Sequence, residues 1–182
     1  MKKGLTHIYT GDGKGKTSCA MGMALRAAGS GLAVNIFQFC KTEPSGELKA
    51  LKLLPGVTLK RAQIDTHKFA WDMDAEEKAR WSEAQQALFD EACEASEASE
   101  ASEGARCDLV ILDEVLGAVR EGAIDEAQLS YLIGHKHKGV ELVLTGRNAS
   151  PALIAKADYV TEMRMVKHPY TEGIPARRGI EY

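Results

Sequence analysis

Nine residues, Thr10-Gly11-Asp12-Gly13-Lys14-Gly15-Lys16-Thr17-Ser18, constrain this chain more than any others. A β-like run, Leu5 to Tyr9, leads into them, and a helical run from about Lys16 to Ala28 leads out. Glycines at alternate positions let the backbone turn tightly and aim successive N–H groups inward. With the positive end of the following helix, those N–H groups form a cradle for phosphate. Lys16 adds a point charge for phosphate oxygens, and the Thr17 hydroxyl is placed to ligand Mg²⁺. A glycine-rich turn with solvated lysines is the competing reading, and Gly-Lys-Thr at a strand-to-helix junction argues against it. The general P-loop pattern has its first glycine where Thr10 stands, whereas here the glycines fall at Gly11, Gly13 and Gly15. The loop is P-loop-like with its own spacing, which allows a triphosphate to be seated differently from that of an ordinary ATPase.

The other half of a phosphate site stands about a hundred residues on. Leu109 to Leu112 is the clearest strand, and Asp113-Glu114 follow at once. Carboxylates at a strand end in this position reach Mg²⁺ directly or through water. Alternating strand and helix patterns connect the two halves. Ala33 to Phe39 reads as a buried strand ending in Gln38, Lys41 and Glu43, and polar groups at the carboxyl edge of such a sheet are where ligands bind. Residues 47–54 read as a short helix, and Val57 to Lys60 as a short strand. A polar loop, 65–72, carries Phe69 and Trp71. A long helix starts at Asp74, with Glu77 in capping-box position and an apolar stripe of Trp81, Ala84, Leu88, Phe89 and Ala92. Residues 125–137 form an amphipathic helix with Leu129, Leu132 and Ile133 inward. Strands follow at 140–145, ending in Gly146-Arg147, and at 159–164, with Ser150 capping a short helix between them. The first helix is expected to pack Ala20, Ala24, Ala27 and Ala28 on the sheet with Met21 and Leu25 beside them.

Two segments lack this order. Residues 94–104 carry a threefold Glu-Ala-Ser triplet, whose period keeps no single face on a 3.6-residue helix. It reads as a solvated helix extension or acidic loop. Residues 167–182 have no period and carry Lys167, His168, Arg177 and Arg178.

At 182 residues, 45% of them hydrophobic, the chain reads as one domain with a sizeable core. A net charge of −3 gives no general pull toward nucleic acid or an anionic membrane. No signal peptide or membrane span is expected, and the setting reads as cytoplasmic. The four cysteines lie too far apart for a zinc knuckle and read mostly as small, reduced core residues. His135 and His137 lie on different helix faces and are poor metal partners.

Collected, these pieces resemble the P-loop type of corrinoid (cob(I)alamin) adenosyltransferase. The resemblance rests on Gly11 to Thr17, Gln38-Phe39-Cys40-Lys41, Phe69-Ala70-Trp71, Leu112-Asp113-Glu114, Thr145-Gly146-Arg147, and the end from Val166-Lys167-His168-Pro169-Tyr170 through Gly179-Ile180-Glu181-Tyr182. It covers nearly the whole chain, and all six pieces occur in order. It implies an α/β fold, a three-layer, mainly parallel RecA-like sheet with helices on both faces. It implies transfer of the 5′-deoxyadenosyl group of ATP to cobalt of a reduced corrinoid, with release of tripolyphosphate. By resemblance, Gly11, Asp12, Gly13, Lys14, Gly15, Lys16, Thr17 and Ser18 hold the triphosphate in reverse sense, and Gln38 and Lys41 belong to the same site. Thr17 and Glu114 ligand Mg²⁺ (or Mn²⁺), with Asp113 supporting. Arg147 steadies phosphates or ribose, and Phe69 and Trp71 line the corrinoid side and exclude its lower axial ligand. The resemblance further implies a flavoprotein reductase as electron donor and leaves room for a homodimer.

Three departures stand out. With its first strand almost at the start of the sequence, the chain is expected to lack the N-terminal segment that longer members carry. Met165 stands where proline is expected, and the acidic triplet is particular to this sequence. A P-loop ATPase or kinase cleaving the γ-phosphate, and a non-catalytic corrinoid- or nucleotide-binding regulator, are the alternative readings.

Overall fold

The computed structural model describes residues 3–41, 45–62, 64, 68, 70–97 and 107–180. Six strands form one sheet: β1 (Thr6–Thr10), β2 (Val34–Gln38), β3 (Val57–Arg61), β4 (Leu109–Asp113), β5 (Glu141–Thr145) and β6 (Tyr159–Glu162). Their spatial order is β3-β2-β4-β5-β1-β6, and every pairing is parallel. One strand, β5, separates the loop-bearing strand from the strand that ends in Asp113. This is the RecA-like arrangement, with a sheet that is parallel throughout.

Side-chain alternation along the strands builds two cores. On β4, Leu109 and Ile111 face one side with Ile36 and Val143, where Ala20, Met21, Ala24 and Ala27 of α1 (Lys16–Gly29) and Leu51 of α2 (Gly46–Leu51) cover them. Val110 and Leu112 face the other side with Phe37, Leu142 and Leu144. There Leu88, Phe89 and Ala92 of α3 (Ala75–Glu97) pack with α4 (Val115–Arg120), α5 (Glu126–His135) and Leu153 of α6 (Pro151–Ile154). The period of two along each strand thus sorts the helices into two layers. Helix starts follow local chemistry. The Asp74 carboxylate accepts the Glu77 N–H at 2.9 Å while Glu77 reaches back to the Asp74 N–H at 3.0 Å. Asp125 and Ser150 cap α5 and α6.

Two helix expectations are corrected. Leu25 is 57% exposed, because α1 needs only its alanine-rich face to lie close on the sheet. In α3 the inward position between Trp81 and Leu88 belongs to Gln85, which is fully buried, while Ala84 is half-buried. The acidic triplet begins inside α3, which runs to Glu97. Its remainder, with Glu43, Phe69, Glu181 and Tyr182, lies outside the described residues.

Candidate nucleotide and corrinoid site

The carboxyl ends of β1, β2, β4 and β5 converge on one polar network. Asp113 is fully buried, and four donors fill its carboxylate. Oδ1 accepts from Thr17 Oγ1 at 2.9 Å and Thr145 Oγ1 at 2.8 Å. Oδ2 accepts from Gln38 Nε2 at 2.9 Å and from the Lys41 ammonium at 2.7 Å. Lys41 Nζ also donates to Thr17 Oγ1 at 3.0 Å. Gln38 Oε1 accepts from Arg61 Nε at 2.7 Å, so the network spans from β3 to β5. Burial alone would raise the Asp113 pKa. The Lys41 charge, with hydrogen bonds from Lys41, Gln38 and Thr145, overturns that and holds it below the ordinary value.

Glu114 differs from its neighbour. Its backbone is left-handed (φ 60°), and its N–H donates to Thr145 Oγ1 at 2.8 Å. Burial and the adjacent Asp113 charge raise its carboxyl pKa against the pull of Lys41 and Lys16. Cys40 after β2 and Asn148 after β5 are left-handed too, with φ of 54° and 58°. Among the described residues, the three non-glycine residues in this conformation all follow strands at one edge. Such strain concentrates at functional edges.

In the loop, Lys16 Nζ donates to the carbonyls of Gly11 at 2.7 Å and Gly13 at 2.8 Å, which places its ammonium in the mouth of the turn. Burial lowers its pKa; Glu114 raises it, and Arg147 adds to the lowering. Arg147 is exposed beside this group, at the turn where Gly146 passes so close to Leu116 that a Cβ would meet that side chain at 2.6 Å. Gly15 takes φ 116°, a conformation reserved for glycine.

The glycine spacing has a structural cause. The segment after β6 lies directly on the loop. Met163 N–H donates to Thr10 O at 2.8 Å, Gly13 N–H to Met163 O at 2.7 Å, and Met165 N–H to Asp12 Oδ1 at 3.1 Å. A Cβ on Gly11 or Gly13 would meet Met163 O at 2.4 or 2.7 Å. One N–H expected in the phosphate cradle, that of Gly13, is therefore turned to the following segment.

Ala70–Asp72 forms a short 3₁₀ turn at the far side, where Ala70 packs with Trp81 and Ala123 against Cys40. Trp71 is 65% exposed, so it is not a core filler. Phe69 lies outside the described residues. Sequence reasoning missed Gln85, whose Oε1 accepts the Cys40 N–H at 3.1 Å, and the linking roles of Arg61 and Thr145. A glutamine in the middle of an apolar stripe was the available signal.

Among the described residues, no group of three or more His, Cys, Asp or Glu is placed to hold a metal by itself. The hydroxyl of Thr17 and the carboxylate of Glu114 suit Mg²⁺, which takes one or two protein oxygens and completes its shell with phosphate and water. Asp113 has its oxygens filled, which fits a supporting place.

Residues 2–182 match the family described as ATP:corrinoid adenosyltransferase BtuR/CobO/CobP. A corrinoid adenosyltransferase of Sinorhizobium sp. is 34% identical over 189 residues, covering 100% of this chain and 81% of that protein. The Pseudomonas aeruginosa corrinoid adenosyltransferase is 32% identical over 192 residues, covering 100% and 85%. That of Escherichia coli strain K12 is 31% identical over 188 residues, covering 100% and 87%. Among solved structures, EssC (ATPases 2 and 3) from Geobacillus thermodenitrificans matches with a TM-score of 0.51 at 20% identity, over 97% of this chain and 35% of that one, a likeness of fold alone.

Proposed function

Because this chain belongs to the ATP:corrinoid adenosyltransferase family, it is a corrinoid adenosyltransferase, and we propose how its residues divide the work. The 5′-carbon of ATP is attacked by Co(I) of a reduced corrinoid. Cobalt supplies the electron pair of the new Co–C bond. The bond from the 5′-carbon to the α-phosphate oxygen breaks, and its pair leaves with tripolyphosphate. Co(I) is itself a strong nucleophile, so the chain is asked for positioning and charge neutralisation rather than a general base. The loop from Gly11 to Ser18 holds the triphosphate in reverse sense, with Lys16 on its oxygens and Arg147 beside them. Thr17 and Glu114 would hold Mg²⁺, and Asp113, with Gln38 and Lys41 on its second oxygen, keeps Thr17 in place. Bound there, Mg²⁺ supplies charge neutralisation for the leaving phosphates. Trp71 would line the corrinoid side, a role the resemblance gives to Phe69 as well, and there the aromatics would displace its lower ligand and exclude water. The electron that makes Co(I) comes from outside the chain, from a flavoprotein reductase. The exposed edge strand β6 offers a surface for a homodimer.

The observation that carries this reading is the convergence of Lys16, Thr17 and Glu114 at one end of the sheet, with an exposed tryptophan next to Ala70, which packs against Cys40 after β2. One feature favours a second reading. A carboxylate with a raised pKa next to a phosphate loop is also what an ATPase would use to activate water. Phosphorus NMR with MgATP and cob(I)alamin under anaerobic conditions separates the two. Adenosylcorrinoid and intact tripolyphosphate in equal amounts are expected, with little turnover without corrinoid. ADP and orthophosphate at a rate indifferent to corrinoid would replace this reading with the ATPase. With Lys16→Ala, ATP affinity should fall roughly ten- to a hundredfold, the worth of a charge-assisted hydrogen bond.

A further inference from the structure

The segment that seats on the loop also builds a pocket with it. A cavity of about 460 Å³ lies between Lys14 and residues 164–177. Lys14, Arg164, Lys167 and Arg177 line it, with His168 beside them, and no carboxylate lines it among the described residues. Lys167 has a carboxylate within 3.6 Å, that of Glu172, but both side chains are mostly exposed and water screens the pair. The described lining of the pocket is thus basic, in a chain of net charge −3. Its position is set by the backbone bonds from Met163 and Met165 to the loop. Lys14 belongs to both the loop and the pocket, so the two adjoin through a basic side chain.

Geometry limits what can enter. Ala70, next to Trp71, packs against Cys40 on the β2–β3 side of the sheet, whereas the pocket adjoins β1 and β6. Three to four strand spacings, about 14–19 Å, separate the two sides. A corrinoid anchored at Trp71 is centred away from the pocket, whereas a phosphate chain leaving the loop on Lys14's side runs toward it. We propose that this pocket is an oligophosphate subsite, which takes the end of the triphosphate remote from the reacting carbon and holds tripolyphosphate after transfer. The proposal rests on the reverse seating of ATP put forward above. With the ordinary seating, the nucleoside would lie on this side, against Ile174 and Pro175.

Calorimetric titration without corrinoid tests it, using inorganic tripolyphosphate and adenosine as separate probes. The variants are the double substitution Arg164→Ala with Lys167→Ala, its conservative counterpart Arg164→Lys with Lys167→Arg, and Lys16→Ala. Both tail residues are exposed, and thermal unfolding checks that the fold is unchanged. One tripolyphosphate per chain is expected. Its affinity should fall roughly ten- to a hundredfold in the alanine double variant, recover in the conservative one, and fall in Lys16→Ala as well. Adenosine affinity should not move. Unchanged tripolyphosphate affinity in the alanine double variant would overturn the proposal, and a loss for adenosine instead would assign the pocket to the nucleoside. Two tripolyphosphates per chain, falling to one in Lys16→Ala, would make it a separate site for free phosphate and overturn the single-chain form. These titrations involve no transfer chemistry, so a failed adenosyl transfer in the NMR experiment leaves their outcome to be judged on its own.

Discussion

The end of β4 and the segment after β6 both face the phosphate loop, yet they are held in opposite ways. Asp113 is buried and takes four hydrogen bonds from side chains on three strands or helices and one loop. Residues 163–180 are mostly exposed, and Met163 and Met165 rest on the loop through a few hydrogen bonds. Removing a partner from the first leaves a buried charge and several donors unsatisfied. Removing a side chain from the second exposes little. Stability and ligand response should therefore separate along this line, with the β4 end carrying the first and the exposed edges the second.

The largest effect should come from Asp113→Ala. Lys41, Gln38, Thr145 and Thr17 all lose an acceptor, and breaking a buried ion pair costs about 3–5 kcal/mol. Urea denaturation should show that loss. A change below about 1 kcal/mol, the scale of an exposed pair, would erase the contrast between the two regions.

Gly13→Ala should come next. Its Cβ would stand 2.7 Å from Met163 O and 2.8 Å from Arg164 C, so the following segment must shift. Overpacking of this kind costs about 1–3 kcal/mol. Hydrogen exchange at Met163 and Met165 should accelerate, and a neutral substitution with unchanged exchange would show that the segment does not sit on the loop.

A smaller effect, of opposite sign, is expected at Glu114. Its carboxyl pKa is raised above the ordinary 4.5. Its contribution to stability is therefore intact below that value and is lost as pH rises through the raised one. Asp113 runs the other way: its pKa is lowered, so its contribution is present above the ordinary 3.8 and lost as pH falls through the lowered value. Glu114→Gln should stabilise the resting protein at neutral pH and flatten the decline above 4.5, while binding Mg²⁺ with ATP more weakly. Denaturation midpoints from about pH 4 to about pH 8 check the sign, and a destabilised variant would contradict it.

Trp71→Ala should have the least effect on stability, within about 0.5 kcal/mol for a largely exposed side chain. Its effect on turnover should be larger with Co(II) and a weak reductant than with pre-formed Co(I). Equal losses with both would leave Trp71 a binding surface only.

Much of this was legible along the chain, because it depends on neighbours in sequence. The alternation of Leu109 to Leu112 names two faces, and the Asp74–Glu77 pairing names a helix start. The Gly-Lys-Thr junction names a phosphate loop, and the acids after β4 name its partner. Sequence alone set Leu25 beside the alanine face and Ala84 in the stripe, because a helical wheel cannot say how wide a face the sheet will cover. Only the tertiary structure decided which atoms share an oxygen. Lys41 reaches Asp113 across 72 positions, and Thr145 links Asp113 to the Glu114 N–H from another strand. The same holds for the glycines at 11 and 13. Local turn chemistry accounts for Gly15, but the other spacing answers to the backbone of Met163, some 150 residues away, which must pass where a Cβ would stand. No local pattern encodes that clearance, because the atom that requires it reaches the loop only once β6 has paired with β1.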